Sequence, residues 1–253
     1  MNERDGARTV STTENSLRMI ETLQEMGGAR IAELTEQMDL SKGTVYQHLV
    51  TLRKHGYVMK EGDEYQLGLR FANLGAYARN RKPEYVKARE LSQELADRTN
   101  LDASFVVEEN GRGVYLRSEG GEMTDPHLHP QVGERLYLHS VAAGKAILAE
   151  LPESRVDAVC EQWGLPALTE NTITSREELD AKLERIRTRG YAFNRGENTT
   201  RVRAVGVSVV QSNGTVLGAA SVGGPKYRLQ GEWFEEQLPE QVRTIVESSR
   251  TNW

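Results

Sequence analysis

The chain has 253 residues, 38% hydrophobic and 27% charged, with 37 acids against 32 bases and a net charge of -5. At roughly 100–200 residues per domain this is one large domain or two small ones, each with a modest core, and the acid excess excludes a nonspecific nucleic-acid coat protein. Cys160 is the only cysteine, which excludes an intrachain disulfide and a cysteine-built zinc cluster and fits a reducing cytoplasm.

The chain order starts with helices. Ser11-Thr12-Thr13-Glu14 has capping-box spacing, so Ser11 is the expected cap of a first helix. Leu17, Ile20, Leu23 and Met26 recur along it as the expected inner face, and Gly27-Gly28 ends it. A second helix carries Ile31, Leu34 and Met38 inward, and Asp39-Leu40-Ser41 makes a turn. Ser41 caps a third helix with Val45, Leu49 and Leu52 on its inner side, stopped at His55-Gly56. Tyr57-Val58-Met59 and Tyr65-Gln66-Leu67 flank a turn at Glu61-Gly62-Asp63 and read as a hairpin. This order is that of a winged helix-turn-helix, whose third helix enters the DNA major groove.

Local charge agrees. Leu40 to Lys60 contains no acid but holds Lys42, Arg53, Lys54 and Lys60. An acid there would be repelled by a duplex. Ser41, Lys42 and Thr44 stand at the helix N-terminus, where hydroxyls and N–H groups meet phosphate or base edges. Tyr46, Gln47 and His48 alternate around the exposed side, with one or two of them half-buried, and Gln47 could pair bidentately with adenine. Arg53 and Lys54 would hold backbone, and Lys60 is the basic residue of the wing.

Tyr65 to Asn80 runs on through Leu67, Leu69, Phe71, Leu74 and Tyr77, its later part has the spacing of a connecting helix, and Arg79-Asn80-Arg81-Lys82-Pro83 is the expected break. The expected organisation is a winged helix-turn-helix over 1–70, a linker helix over 71–83 and a second domain over 84–253. A helix from Glu84 to Thr99 would bury Val86, Leu91 and Leu95. Ser104–Glu108 and Gly113–Ser118 form a hairpin around Asn110-Gly111. Helices follow over Ser140–Leu151 and Pro152–Trp163, and another capped by Ser175 and ended by Gly190, with Leu179, Leu183 and Ile186 inward. Arg201–Val210 and Thr215–Val222 are strands around Ser212-Asn213-Gly214, before a final helix over Glu232–Ser249. Antiparallel strands mixed with helices make the fold class α+β.

The motifs in this order resemble the IclR family of bacterial and archaeal transcription regulators along nearly the whole chain. The resemblance rests on Ile31-Ala32-Glu33-Leu34, Leu40-Ser41-Lys42-Gly43-Thr44-Val45, Gly56-Tyr57-Val58 and Tyr65-Gln66-Leu67-Gly68 with Leu74-Gly75. In the second half it rests on Leu138-His139-Ser140, Ala143-Gly144-Lys145-Ala146, Arg189-Gly190-Tyr191-Ala192 and Gly223-Gly224-Pro225. Only eight of the 32 basic residues are lysines, a bias that fits a salt-adapted source such as a haloarchaeon.

The resemblance implies a winged-helix dimer, or a tetramer, on a palindromic operator in double-stranded DNA. It also implies a C-terminal GAF-like domain that binds a small effector, often a carboxylate. Carried over by motif, one wall of the effector pocket would hold Leu136, Ala142, Ala143 and Gly144, facing Asn194, Ala204, Ser221 and Gly223. Small residues let backbone N–H groups approach a carboxylate, and a helix beginning near Ser140 favours an anion. Asn194 stands where the family often has an acid, Ala204 where it has a polar or sulfur side chain, and Gly223 where it has serine. These departures predict a roomier, less polar site, suited to a sugar acid or an aromatic acid. Gly43 and Gln47 replace serine and arginine in the recognition helix, so the operator cannot be borrowed from relatives.

Other readings are weaker. Gly144-Lys145 is no phosphate loop, because His139 and Ala146 stand where a Walker sequence needs glycine and a hydroxyl. His127, His129 and His139 could supply metal ligands, but nothing nearby completes a site, so neither metal nor cofactor is expected. Cys160, Trp163 and Trp233 read as packing residues. The alternative, an enzyme with an appended helix-turn-helix, lacks a recognisable nucleophile, base and orienting group. Met1–Val10 is polar, unlike a leader, and no apolar run nears the ~20 residues of a bilayer span, so a cytoplasmic location is expected.

Overall fold

The computed structural model describes residues 8–121 and 128–249. The chain divides into two compact units after Ala78. In the first, α1 (Ser11–Met26), α2 (Ile31–Met38) and α3 (Lys42–Lys54) precede a hairpin of β1 (Val58–Glu61) and β2 (Glu64–Leu67). Met19, Leu23, Leu34, Met38, Val45, Leu49, Leu52, Val58 and Tyr65 form its core. Two expectations for α1 are corrected. Val10, not Ser11, is the N-cap, and no side chain caps it. Met19 and Leu23 are buried while Leu17 and Met26 are exposed. Three-residue steps turn 300° on a helix of 3.6 residues per turn, so a run of them drifts off any one face.

Helix α4 (Arg70–Arg79) buries none of its residues. The second unit opens with α5 (Pro83–Thr99), started by proline at its first position and ended by Asn100 in the left-handed conformation. Its buried face carries Tyr85, Ala88, Leu91 and Leu95, and the expected inward Val86 is exposed. Strands β3 (Asp102–Glu109) and β4 (Arg112–Glu119) pair around Asn110-Gly111, both at positive φ. Then come β5 (Arg135–Tyr137), a 3-10 turn at Leu138–Ser140, α6 (Ala142–Glu150), α7 (Glu153–Trp163) and α8 (Arg176–Arg189). The chain continues through β6 (Ala192–Arg195), β7 (Val202–Val210) and β8 (Val216–Pro225) to a π-helical turn and α9 (Leu238–Ser248). The sequence reading missed β5 and β6, which are short edge strands.

The sheet is antiparallel, six-stranded and ordered β5-β4-β3-β8-β7-β6. Strand alternation splits its two faces. Ala103, Phe105, Val107, Val205, Val207, Val209, Ala220 and Val222 pack under α5 and α9. The opposite face carries smaller and more polar residues and is partly covered by α6, which joins Val106 and Ala219 in a second core with α7 and α8. Both layers belong to one α+β unit, and the lighter face is where the sheet is left open.

Candidate functional site

In the first unit α3 presents an exposed polar face. Ser41 caps it, accepting a hydrogen bond from the Thr44 N–H (3.2 Å), and the two hydroxyls lie 2.9 Å apart. No acid stands in its first turn, and Arg53 and Lys54 stand in its last. Lys42, Tyr46, Gln47, Arg53 and Lys54 are exposed, and Thr44 is half-buried. His48 is also half-buried, with Nδ1 2.8 Å from Ser16 Oγ, so it ties α3 to α1. Lys60 is exposed on β1 and lies over the Tyr65 ring.

The second unit holds a cavity of about 490 Å³ on the open face of the sheet. Its floor follows the strand register. One row runs Asp102, Gly223, Ala204, Asn194 across β3, β8, β7 and β6. The next runs Ser104, Ser221, Gly206, Ala192. Glycine and alanine at the centre of the first row leave a trough between two polar ends. Both ends are buried, Asp102 at 9% and Asn194 at 4% exposure.

The roof is the N-terminus of α6. It reaches the sheet because Gly206 has no side chain: a Cβ there would sit 2.6 Å from Ala142 C and Ala143 N. Val141 caps α6 without a side-chain hydrogen bond, and the first turn holds no acid. The first amide in the helical ladder is the Lys145 N–H, which donates to Val141 O (3.0 Å). The N–H groups before it have no partner within the helix and carry its positive dipole end. Val141, Ala142 and Ala143 line the cavity beside this end.

The Asn194 side-chain oxygen accepts from the Gly196 and Glu197 N–H groups (3.0 and 2.9 Å). That fixes the amide, and its N–H2 is the group left to serve the cavity as a donor. The 196–200 loop is further held by Thr172 Oγ1, which donates to Glu197 O (2.6 Å), and by Thr169 Oγ1, which donates to Gly196 O (2.7 Å). Asn198 and Thr199 from this loop, and Arg201 just after it, line the cavity. Beneath it Lys145 and Glu197 form a buried ion pair, 0% and 5% exposed. Burial and then the cations Lys182, Arg189 and Arg195 hold the Lys145 ammonium well below the ordinary lysine range.

Six of the eight effector residues inferred from sequence line the cavity: Ala142, Ala143, Asn194, Ala204, Ser221 and Gly223. Leu136 and Gly144 lie outside that lining. Leu136 is buried on β5 opposite Gly113. Gly144 is pressed on the backbone of Leu138, with no room for a Cβ. Sequence reasoning missed Asp102, Ser104, His129 and Arg201 in the lining. His129 Nε2 lies 2.9 Å from Ser118 Oγ, and its Nδ1 lies 3.3 Å from Asp102 Oδ1. The alternation of small residues with Val205, Val207 and Val209 was the signal available for the trough.

His127 lies outside the described residues. His139 is buried, with Nε2 3.2 Å from Pro166 O; burial foremost, then Lys145 and Arg112, hold its imidazole below the ordinary histidine pKa. Among the described residues no group of three His, Cys, Asp or Glu converges as a metal site. Cys160 is half-buried against the α6 core, and burial pushes its thiol pKa up. Trp163 donates to Asn110 O (2.8 Å), and Trp233 packs on the core beneath α9.

On the other side of β4, Arg117 is buried at 4% exposure and donates to Tyr85 O (3.0 and 2.6 Å) and to Asn80 Oδ1 (2.8 Å). Neighbouring strand residues face opposite ways, so Ser118 holds His129 beside the cavity while Arg117 holds the chain that follows α4.

The family model described as IclR helix-turn-helix domain matches residues 12–62, and the one described as Bacterial transcriptional regulator IclR C-terminal matches residues 85–249. The chain is 35% identical over 236 residues to the probable HTH-type transcriptional regulator ArcR of Halobacterium salinarum, covering 92% of this chain and 89% of that one. It is 31% identical over 243 residues to the HTH-type transcriptional regulator KdgR of Escherichia coli, covering 92% of this chain and 89% of that one. Its fold matches the crystal structure of the Thermotoga maritima IclR with a TM-score of 0.77 at 25% identity, over 95% of this chain and 96% of that chain. The chain belongs to the IclR family of transcriptional regulators, which bind DNA through the helix-turn-helix domain and a small-molecule effector through the C-terminal domain.

Proposed function

We propose that two copies of this regulator bind the half-sites of a palindromic operator, and that a carboxylate-bearing metabolite in the sheet cavity controls that binding. The observation that carries the reading is the α6 N-terminus laid over Gly206 and opening on the cavity. Its first-turn N–H groups, which have no partner within the helix, and the Asn194 amide are donors, and Arg201 adds a cation to the lining. A carboxylate satisfies all three. In the first unit, Ser41, Lys42, Thr44, Arg53, Lys54 and Lys60 take phosphate, and Tyr46 and Gln47 reach base edges. His48 helps to set the angle of α3 through Ser16.

Control is a difference in effector affinity between two domain arrangements. Arg117 and Ser118 supply a physical connection, because one strand segment touches both the cavity side and the residues after α4. Ser118 is not part of the cavity lining. The Ser118–His129–Asp102 set acts as a brace for the cavity wall. The matching relatives named here are regulators. Among the described residues no helix is long and apolar enough to cross a membrane, which supports work in the cytoplasm.

Selection from random duplexes, followed by sedimentation of the protein on the winning sequence, tests the DNA half of the reading. The expected result is a two-fold symmetric site carrying an even number of protomers. A single protomer on an asymmetric site contradicts it.

A further inference from the structure

The proposed acid site explains one end of the trough and leaves the other without a role. The α6 N-terminus sits over Gly206 on β7. Asp102 lies on β3, with β8 between. Two inter-strand steps of about 4.8 Å separate the ends by roughly 10 Å. An effector that reaches both must be roughly a five- or six-carbon chain with a hydrogen bond at each end. The glycine and alanine in the middle of the row leave space for that chain.

The chemistry at the far end is specific. Asp102 is buried and lines the cavity, and His129 Nδ1 is 3.3 Å from its Oδ1. Its carboxylate is an acceptor in a low-dielectric wall, and Ser104 beside it adds a hydroxyl. Such a wall penalises an apolar or aromatic group, which would desolvate Asp102 and give nothing back. A cationic group is also a poor fit, because Arg201 shares the cavity. Hydroxyl groups fit, because they donate to the carboxylate without bringing a charge.

Resting on the acid-site reading above, we propose that Asp102, braced by His129 and Ser118, is the specificity-determining residue for a polyhydroxylated acid. The effector's carboxylate lies at α6, and its distal hydroxyls donate to Asp102. Of the two classes that the sequence suggests, this selects the sugar acids over the aromatic acids.

Calorimetry on the full-length protein tests this with D-gluconate, D-galactonate and D-mannonate against hexanoate, 6-aminohexanoate, benzoate and glycolate. At least one hexonate is expected to bind at least tenfold more tightly than hexanoate, the strength of a charge-assisted hydrogen bond. Asp102→Ala should abolish that preference by weakening the hexonate, and hexanoate, no longer desolvating a carboxylate, should bind at least as tightly as it does to the wild type. Retained hexanoate binding shows that the variant has kept its fold, and Asp102→Asn, of the same shape, should lose part of the preference. If hexanoate, benzoate, 6-aminohexanoate or glycolate binds as tightly as the best hexonate, the hydroxyl-reading role is overturned while the acid site stands. A hexonate preference that survives Asp102→Ala also overturns it. If none of the acids binds, the acid site and the proposal fall together.

Discussion

Gly206→Ala is the sharpest perturbation of the effector site. The added Cβ would lie 2.6 Å from Ala142 C and Ala143 N, both backbone atoms. Ordinary contact needs about 3.5 Å, so the start of α6 must retreat by about 1 Å. Overpacking of this kind costs about 1–3 kcal/mol. An unobstructed strand glycine would instead gain roughly 0.5–1 kcal/mol on becoming alanine, so the sign of the change is diagnostic. The same retreat carries the first-turn N–H groups out of hydrogen-bond range of a bound carboxylate. Affinity for the effector acid should fall about tenfold. Denaturant melts and calorimetry read the two effects, and DNA affinity without effector should not change. Gain of stability together with unchanged acid affinity would refute the close approach of α6 to β7.

Three further outcomes follow from individual residues. Lys42→Ala with Arg53→Ala should weaken binding to all duplexes and reduce the salt slope by about 2; an unchanged slope means that these cations do not face phosphate. Lys145→Met leaves the Glu197 carboxylate buried and unpaired, and should cost about 3–5 kcal/mol in a denaturant melt. Lys145→Met with Glu197→Leu should recover most of that loss, and no recovery contradicts the pairing. His139 is held below the ordinary histidine pKa, chiefly by burial, so the unfolded chain takes up the proton first. Its contribution to stability is therefore complete above the ordinary histidine value and is lost as pH falls through it. Between pH 7 and about 5 the melting temperature should drop more in the wild type than in His139→Gln, and equal drops would exclude the effect.

The first unit was largely legible because its signals are local. Ser41 caps α3 as its position suggests, and Val45, Leu49 and Leu52 are buried at spacings of three and four. The face of α1 was misread because strict three-residue steps rotate away from the core, and Met19 with Leu23 takes the buried position. In the second unit the hairpin at Asn110-Gly111 and the cap at Ser175 were readable for the same local reason. The far end of the cavity was not. Asp102 faces Asn194 across the trough only through the pairing of β3 with β8, β8 with β7 and β7 with β6. That register is set by the whole sheet. The Lys145–Glu197 pair likewise joins a helix to a loop that no short-range pattern connects.

The central claim is that an acid in the cavity changes the affinity of α3 for DNA. Fluorescence anisotropy on the selected operator, with and without the tightest-binding acid at saturation, measures it most directly. The predicted result is an affinity change of at least tenfold, a coupling of about 1.4 kcal/mol, that shrinks when Gly206→Ala displaces α6. Operator affinity that is the same with the cavity filled and empty contradicts the account.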